Sequence, residues 1–164
     1  MKNFLLLTVL AVISVSAVAQ GDKPASPKMT TENALVKVTY GAPYKKGRDI
    51  FGGLVPFGQV WRTGANEATE IVVKKDVSFG GKPLKAGTYI LFTIPTKTDW
   101  TVIINGQLGQ WGAYDYDKSK AKNVLEVKVP SSSANTSLEQ FTITAKDAGL
   151  ELAWDKTVVL IPIK

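Results

Sequence analysis

Arg62, Asn66, Glu67 and Thr69 sit within one short run of the chain. A guanidinium can hold a carboxylate through two parallel hydrogen bonds. An amide and a carboxylate beside it can exchange hydrogen bonds with hydroxyl groups. One reading of this group is a pocket wall, in which Arg62 and Asn66 grip an anionic or sugar-like ligand and Glu67 acts as acceptor or base. The other is a partly buried hub. Arg62 would then tie Glu67, Asp115 or Asp117 and nearby carbonyls, fixing a loop that has no ladder bonds of its own. Breaking such a hub leaves a charge without its partner. A second group, Trp111, Tyr114, Asp115, Tyr116 and Asp117, sets flat aromatic faces beside carboxylates. Sugar recognition uses that combination for stacking and for binding hydroxyls. The same residues would also pack a long loop onto a sheet, with phenol groups reaching backbone acceptors.

Much other chemistry is excluded by composition. The chain contains no histidine and no cysteine. It can therefore form no histidine-based triad, no imidazole acid/base and no zinc site of nitrogen or sulfur ligands. An all-oxygen site for a hard ion remains conceivable, but Asp115 and Asp117 lack the spacing of a calcium loop. No metal or cofactor is expected. The enzymatic route left open is a carboxylate pair, Glu67 with Asp115 or Asp117, working as a glycoside hydrolase if the two loops meet across a cleft. No local motif supports serine or lysine catalysis, and no catalytic residue is assigned. Gly52-Gly53 and Gly80-Gly81 read as turn geometry, because no strand-to-helix context follows that would cradle a phosphate.

These side chains lie on two irregular stretches that something regular must hold. The first, Gly47 to Thr69, has five glycines and a proline and no regular period, yet it contains Ile50, Phe51, Leu54, Val55, Phe57, Val60 and Trp61. A solvated loop would not carry that many large apolar groups, so the stretch is expected to be packed down. Both arginines of the chain, Arg48 and Arg62, fall inside it, and every other basic side chain is lysine. The second stretch runs from Asn105 to Lys122.

Around them the pattern is that of strands. Ala34 to Tyr40, Glu70 to Lys74, Asp76 to Phe79, Thr88 to Ile94, Trp100 to Asn105, Val124 to Val129, Gln140 to Ala145, Leu150 to Trp154 and Thr157 to Ile163 carry short apolar alternations. The Tyr89/Leu91 and Ile90/Phe92/Ile94 rows suggest burial on both faces. Trp100 and Trp154 are expected in the core. Gly80 to Pro83, Ala148-Gly149 and Asp155-Lys156 read as turns, and Pro130 to Ser137 as a serine-rich loop. A helical turn within Phe57 to Glu67 is conceivable. About eight or nine strands with turn signals and no amphipathic helix predict one all-β domain, a single antiparallel β-sandwich over 34–164 with two long packed irregular loops.

The remaining N-terminal residues read differently. Lys2, the apolar run Phe4 to Val15 and Ala17-Val18-Ala19 form a signal peptide over 1–19, with cleavage expected before Gln20. The apolar run is short for a bilayer, and no second one follows, so no membrane span is expected after signal removal. Residues 20–33 are a polar, proline-containing lead-in or short edge strand. The expected location is periplasmic or secreted. Cleavage removes Lys2 and takes the net charge from +6 to +5. Most lysines are scattered, as on a solvated surface. Loose association with anionic envelope polymers is compatible with that balance, and no aromatic–basic module points to nucleic acid.

Lys46-Gly47-Arg48, Ile50-Phe51-Gly52, Leu54-Val55-Pro56-Phe57-Gly58 and Val60-Trp61-Arg62-Thr63-Gly64-Ala65-Asn66-Glu67-Ala68-Thr69 closely resemble a bacterial family. So do Leu84-Lys85-Ala86-Gly87-Thr88-Tyr89, Leu91-Phe92-Thr93-Ile94-Pro95 and Trp111-Gly112-Ala113-Tyr114. The family is domain-of-unknown-function family 2911, of exported Bacteroidota-type proteins, and the resemblance runs from about Ser26 to the C-terminus. It implies an exported β-rich domain and no catalytic residue. The leading functional expectation is a non-enzymatic cell-envelope module binding a small polar ligand such as a saccharide. Its pocket would be lined by Trp61, Arg62, Asn66, Glu67, Trp111, Tyr114 and Asp115. A carboxylate-dependent hydrolase of envelope glycans and a purely structural or interaction domain are the alternatives.

Overall fold

A computed structural model describes residues 25–164. The expected signal peptide and the first part of the lead-in lie outside the described residues. Nine strands follow in chain order: β1 Lys28–Glu32, β2 Val36–Gly41, β3 Thr69–Val73, β4 Val77–Phe79, β5 Lys82–Leu84, β6 Gly87–Pro95, β7 Asp99–Asn105, β8 Asn123–Lys146 and β9 Gly149–Pro162. Seven of them form one sheet in the order β1-β2-β3-β6-β7-β8-β9, and β4 and β5 form a separate hairpin. All the strand pairings are antiparallel.

The expected all-β antiparallel organisation is present, and its two layers come from one sheet that curls over itself. β8 does most of the curling. Its first part pairs with β7 and its later part with β9, with register shifts between Ser133 and Thr142. Its C-terminal end turns back toward the first strands. Ala145 N donates to Thr31 Oγ1 at 3.0 Å, Asn33 Nδ2 to Lys146 O at 2.8 Å and Phe141 N to Pro43 O at 2.9 Å. The small hairpin closes the end of β9, with Ser78 N donating to Lys164 O at 2.8 Å and Lys164 N to Ser78 O at 3.0 Å.

Inside the curl lies one apolar core that includes Val38, Ile71, Leu91, Val102, Phe141, Leu152, Ile161 and the buried rings of Trp100 and Trp154. Strand alternation sends the other side chains outward. On β6 and β7 those include Ile90, Phe92 and Ile103, which are buried too, in a second cluster with Ala68 and Tyr116. The Tyr116 ring meets Phe92 edge-on at 5.2 Å between centroids. The loop over residues 106–122 thus roofs the outer face of the sheet, and the two-sided burial expected of β6 is realised.

Three local expectations are corrected. Val124 to Val129 and Gln140 to Ala145 are one strand, β8, and the serine-rich stretch between them is part of it. Leu150 to Trp154 and Thr157 to Ile163 are likewise one strand, β9. Asp155, at φ 50°, bends it without turning it back. No helical turn occurs within Phe57 to Glu67. The short helix α1, Tyr116–Ser119, and a 3-10 turn over Lys120–Lys122 lie in the second irregular stretch instead. No helix among the described residues is long and apolar enough to cross a membrane.

Candidate functional site

Strand register brings the two irregular stretches together. Thr69 of β3, Leu91 of β6 and Ile104 of β7 lie in one row across the sheet. The first stretch therefore enters the sheet at the edge from which the second leaves. Their backbones are clasped: Ala68 N donates to Gln110 O at 3.0 Å and Gly112 N to Asn66 O at 3.1 Å, with Glu67 and Trp111 bridged between them.

Each loop is also braced from within. Thr63 is fully buried at φ 56°, a strained conformation for a β-branched residue. It is held there by Thr69 Oγ1, which donates to its carbonyl at 2.7 Å, and by a 3.0 Å contact with the Thr93 hydroxyl. In the second loop the brace is Asn105. Its Nδ2 donates to Ser119 O at 2.9 Å and Asn123 Oδ1 at 2.7 Å, and its Oδ1 accepts from Gln107 N at 2.8 Å and Gln110 Nε2 at 3.2 Å. That uses the full capacity of a buried amide.

Arg62 occupies the join. Its Nη1 donates to Asn66 O at 3.1 Å, and its guanidinium lies 5.4 Å from the centre of the Tyr114 ring. Gly112 makes this possible. A Cβ there would come within 3.0 Å of the Tyr114 ring and 3.1 Å of Arg62 Cζ. The expected carboxylate hub is not formed: Arg62 makes one hydrogen bond, to a backbone carbonyl, and rests on one aromatic ring. Arg62 forms no ion pair among the described residues. Glu67 is exposed and faces Lys28 Nζ at 3.8 Å, and Asp115 binds Lys118 Nζ at 2.7 Å. Asp117 is exposed on α1.

The proposed pocket residues are divided between two hollows on either side of the clasp. The first, of about 220 Å³, includes Glu67 and Trp111. Its floor is the outer face of the sheet, where register aligns Thr39, Glu70 and Ile90 side by side. Lys28 and Gln110 complete its polar lining. Trp111 is 60% exposed, so a large flat apolar face is open to solvent beside two carboxylates. The second hollow, of about 410 Å³, includes Trp61, Arg62 and Asn66 together with Lys46, Arg48 and Trp154. Tyr114 and Asp115 line neither of these two hollows. Tyr114 backs Arg62, and Asp115 holds the Lys118 ammonium above its ordinary pKa by a hydrogen bond and its charge.

Trp61 is partly buried, lining the second hollow on one side and packing against the core on the other. It stacks on Trp154 at 6.0 Å with an interplanar angle of 18°, meets Phe141, Trp100 and Phe51 edge-on, and donates from Nε1 to Gly64 O at 3.1 Å. Glu70, Lys28, Gln110, Lys46 and Arg48 were not singled out as site residues by sequence reasoning. Arg48 carried a signal, as one of only two arginines. Glu70 carried none, since it reads as the exposed position of an ordinary strand. Among the described residues no group of three acidic side chains gathers where a metal could be held.

A family model described as "Protein of unknown function (DUF2911)" matches residues 23–163. No curated protein and no solved structure matches the chain.

Proposed function

The chain belongs to the DUF2911 family, whose description assigns no activity, and we propose from the geometry of its own residues that it is a non-enzymatic module binding a small saccharide in the Trp111 hollow. The observation that carries this reading is the open ring of Trp111, carried on a paired backbone beside Glu67 and Glu70. A flat apolar face takes the C–H face of a sugar ring, while carboxylates, an ammonium and backbone groups orient its hydroxyls. The site is assembled on a braced backbone, so little ordering opposes binding. An exported, periplasmic or secreted location goes with this reading, supported by the apolar N-terminal segment and the Ala17-Val18-Ala19 motif.

Isothermal titration against neutral oligosaccharides tests the proposal. Binding by the wild-type protein is expected, with loss of at least about tenfold in affinity for Trp111→Ala and an unchanged melting temperature. Equal binding by wild type and Trp111→Ala excludes this hollow. A second reading has its own observation: Glu67 and Glu70 face the same hollow, as the acid pair of a glycosidase would. Turnover of an envelope glycan that disappears in Glu67→Gln would establish that reading in place of simple binding.

A further inference from the structure

Both arginines of the chain line the second hollow. Arg48 comes from the start of the first irregular stretch and Arg62 from its end, and Lys46 stands at the same rim. Among the described residues no aspartate or glutamate lines this hollow. The nearby acids are already engaged by protein groups, Glu139 at the backbone of the rim itself. Glu139 accepts from Lys46 N at 2.8 Å, and Asp155 is bound by Lys45 Nζ at 2.7 Å and Ser137 Oγ at 2.6 Å. Asp49 lines a different hollow with Asp155. Three cationic side chains thus share one concavity, with no acidic side chain among the described residues that line it.

The guanidiniums are oriented before any ligand arrives. Arg48 Nε donates to Lys45 O at 3.0 Å and Nη2 to Tyr44 O at 2.6 Å, which leaves Nη1. Arg62 uses Nη1 on Asn66 O and rests against Tyr114, which leaves Nε and Nη2. None of these remaining groups has a protein partner among the described residues. The backbone at the rim is strained as well. Lys46 (φ 49°) and Asn66 (φ 63°) are two of the four non-glycine residues with positive φ in the described chain. A lysine in that conformation is costly and persists where the surroundings hold it. Trp61 gives the hollow an apolar side, backed by the buried Trp154 ring.

We propose that this hollow is a binding site for a small molecule bearing an oxyanion, a planar carboxylate or a tetrahedral sulfate or phosphate, gripped by Arg62 and Arg48 with Lys46 closing the rim. Fixed forks of N–H donors without a carboxylate of their own suit such groups, and charge-assisted hydrogen bonds are the stronger kind. The site is separate from the Trp111 hollow and does not depend on sugar binding there.

Titration calorimetry at low salt tests it with sodium glucuronate, sodium sulfate and sodium phosphate, and with neutral methyl glucoside as the uncharged control. The expected result is one-to-one binding of an anion and none of the glucoside, with affinity falling as sodium chloride is raised. Preference for glucuronate identifies a carboxylate ligand, and preference for sulfate or phosphate a tetrahedral one. Arg62→Gln should weaken binding by about tenfold or more. Because Arg62 also braces the clasp, Lys46→Asn is the second variant. It removes charge at a left-handed position that asparagine adopts more readily, and it should weaken binding with no loss of melting temperature. Lys97→Asn, at an exposed lysine away from the hollow, should bind as wild type does. The proposal is overturned if none of the three anions binds. It is equally overturned if Arg62→Gln and Lys46→Asn bind as tightly as wild type.

Discussion

Gly112 has no side chain, and its lack of one matters to the join. Its φ of 68° disfavours any side chain, and a methyl group there would press on Tyr114 at 3.0 Å and on Arg62 at 3.1 Å, so both would have to shift. Gly112→Ala should lower unfolding free energy by about 1–2 kcal/mol and disturb the Arg62–Tyr114 contact, as chemical denaturation and the tyrosine spectrum would show. Asp155 offers a test with a sign in pH. The Lys45 hydrogen bond first, and the Ser137 hydroxyl second, hold its carboxyl below the ordinary 3.8. A depressed folded-state pKa contributes stability that is present above the unfolded value and lost as pH falls through the folded one. Asp155→Asn keeps a residue that tolerates φ 50° and should cost about 1 kcal/mol at neutral pH. The difference from wild type should shrink in urea melts run below about pH 4.

At the scale of the elements, the outer face of the sheet carries the site because a buried amide secures the loop above it. Asn105→Ala would strand Gln107 N and the Ser119 carbonyl and leave Gln110 Nε2 with Gln107 O alone. We expect a loss of about 3 kcal/mol and faster hydrogen exchange across residues 106–122, with Trp111 losing its fixed position. The link between β2 and β8 is another such device. Tyr40 OH accepts from Ile143 N at 2.9 Å within the core, so Tyr40→Phe should cost about 1–2 kcal/mol. Burial raises the Tyr40 pKa above 10.0, against a smaller lowering by the Ile143 hydrogen bond. The folded state therefore keeps this proton longer than the unfolded chain. That contribution is complete below pH 10 and is lost as pH rises through the folded-state value, a decline that Tyr40→Phe should lack. The elements readable in the sequence were those with one dry face, such as β2, whose Val36, Val38 and Tyr40 are buried while Lys37 is exposed. The middle of β8 is mostly exposed. A ribbon wet on both sides shows no apolar alternation, so its serines read as a loop although its backbone is paired.

For the molecule as a whole, fold class followed from strand periodicity, and the packing down of the first loop followed from its burden of apolar residues. What could not be read was the path of the curl, because it depends on contacts such as Asn33 to Lys146 that no local pattern announces. For the same reason one expected pocket became two hollows. Glu67 and Arg62 are neighbours in sequence, yet they face opposite sides of the strip that joins the loops. Closure at the C-terminus is also testable. Ile163 is 1% exposed and bridges Phe79, so Ile163→Ala should cost about 2–4 kcal/mol. Fraying should then appear first in the β4–β5 hairpin, as hydrogen exchange would resolve.

The return of β8 onto the first strands has a consequence in time. Thr31 waits for Ala145 and Tyr40 for Ile143, so a nascent chain cannot complete its wall until nearly all of it has emerged. Loop closure over such separations is slow. Until then the outer edge of β1 lacks its cover from β8, and the growing polypeptide is a natural client for whatever shields unfinished sheets.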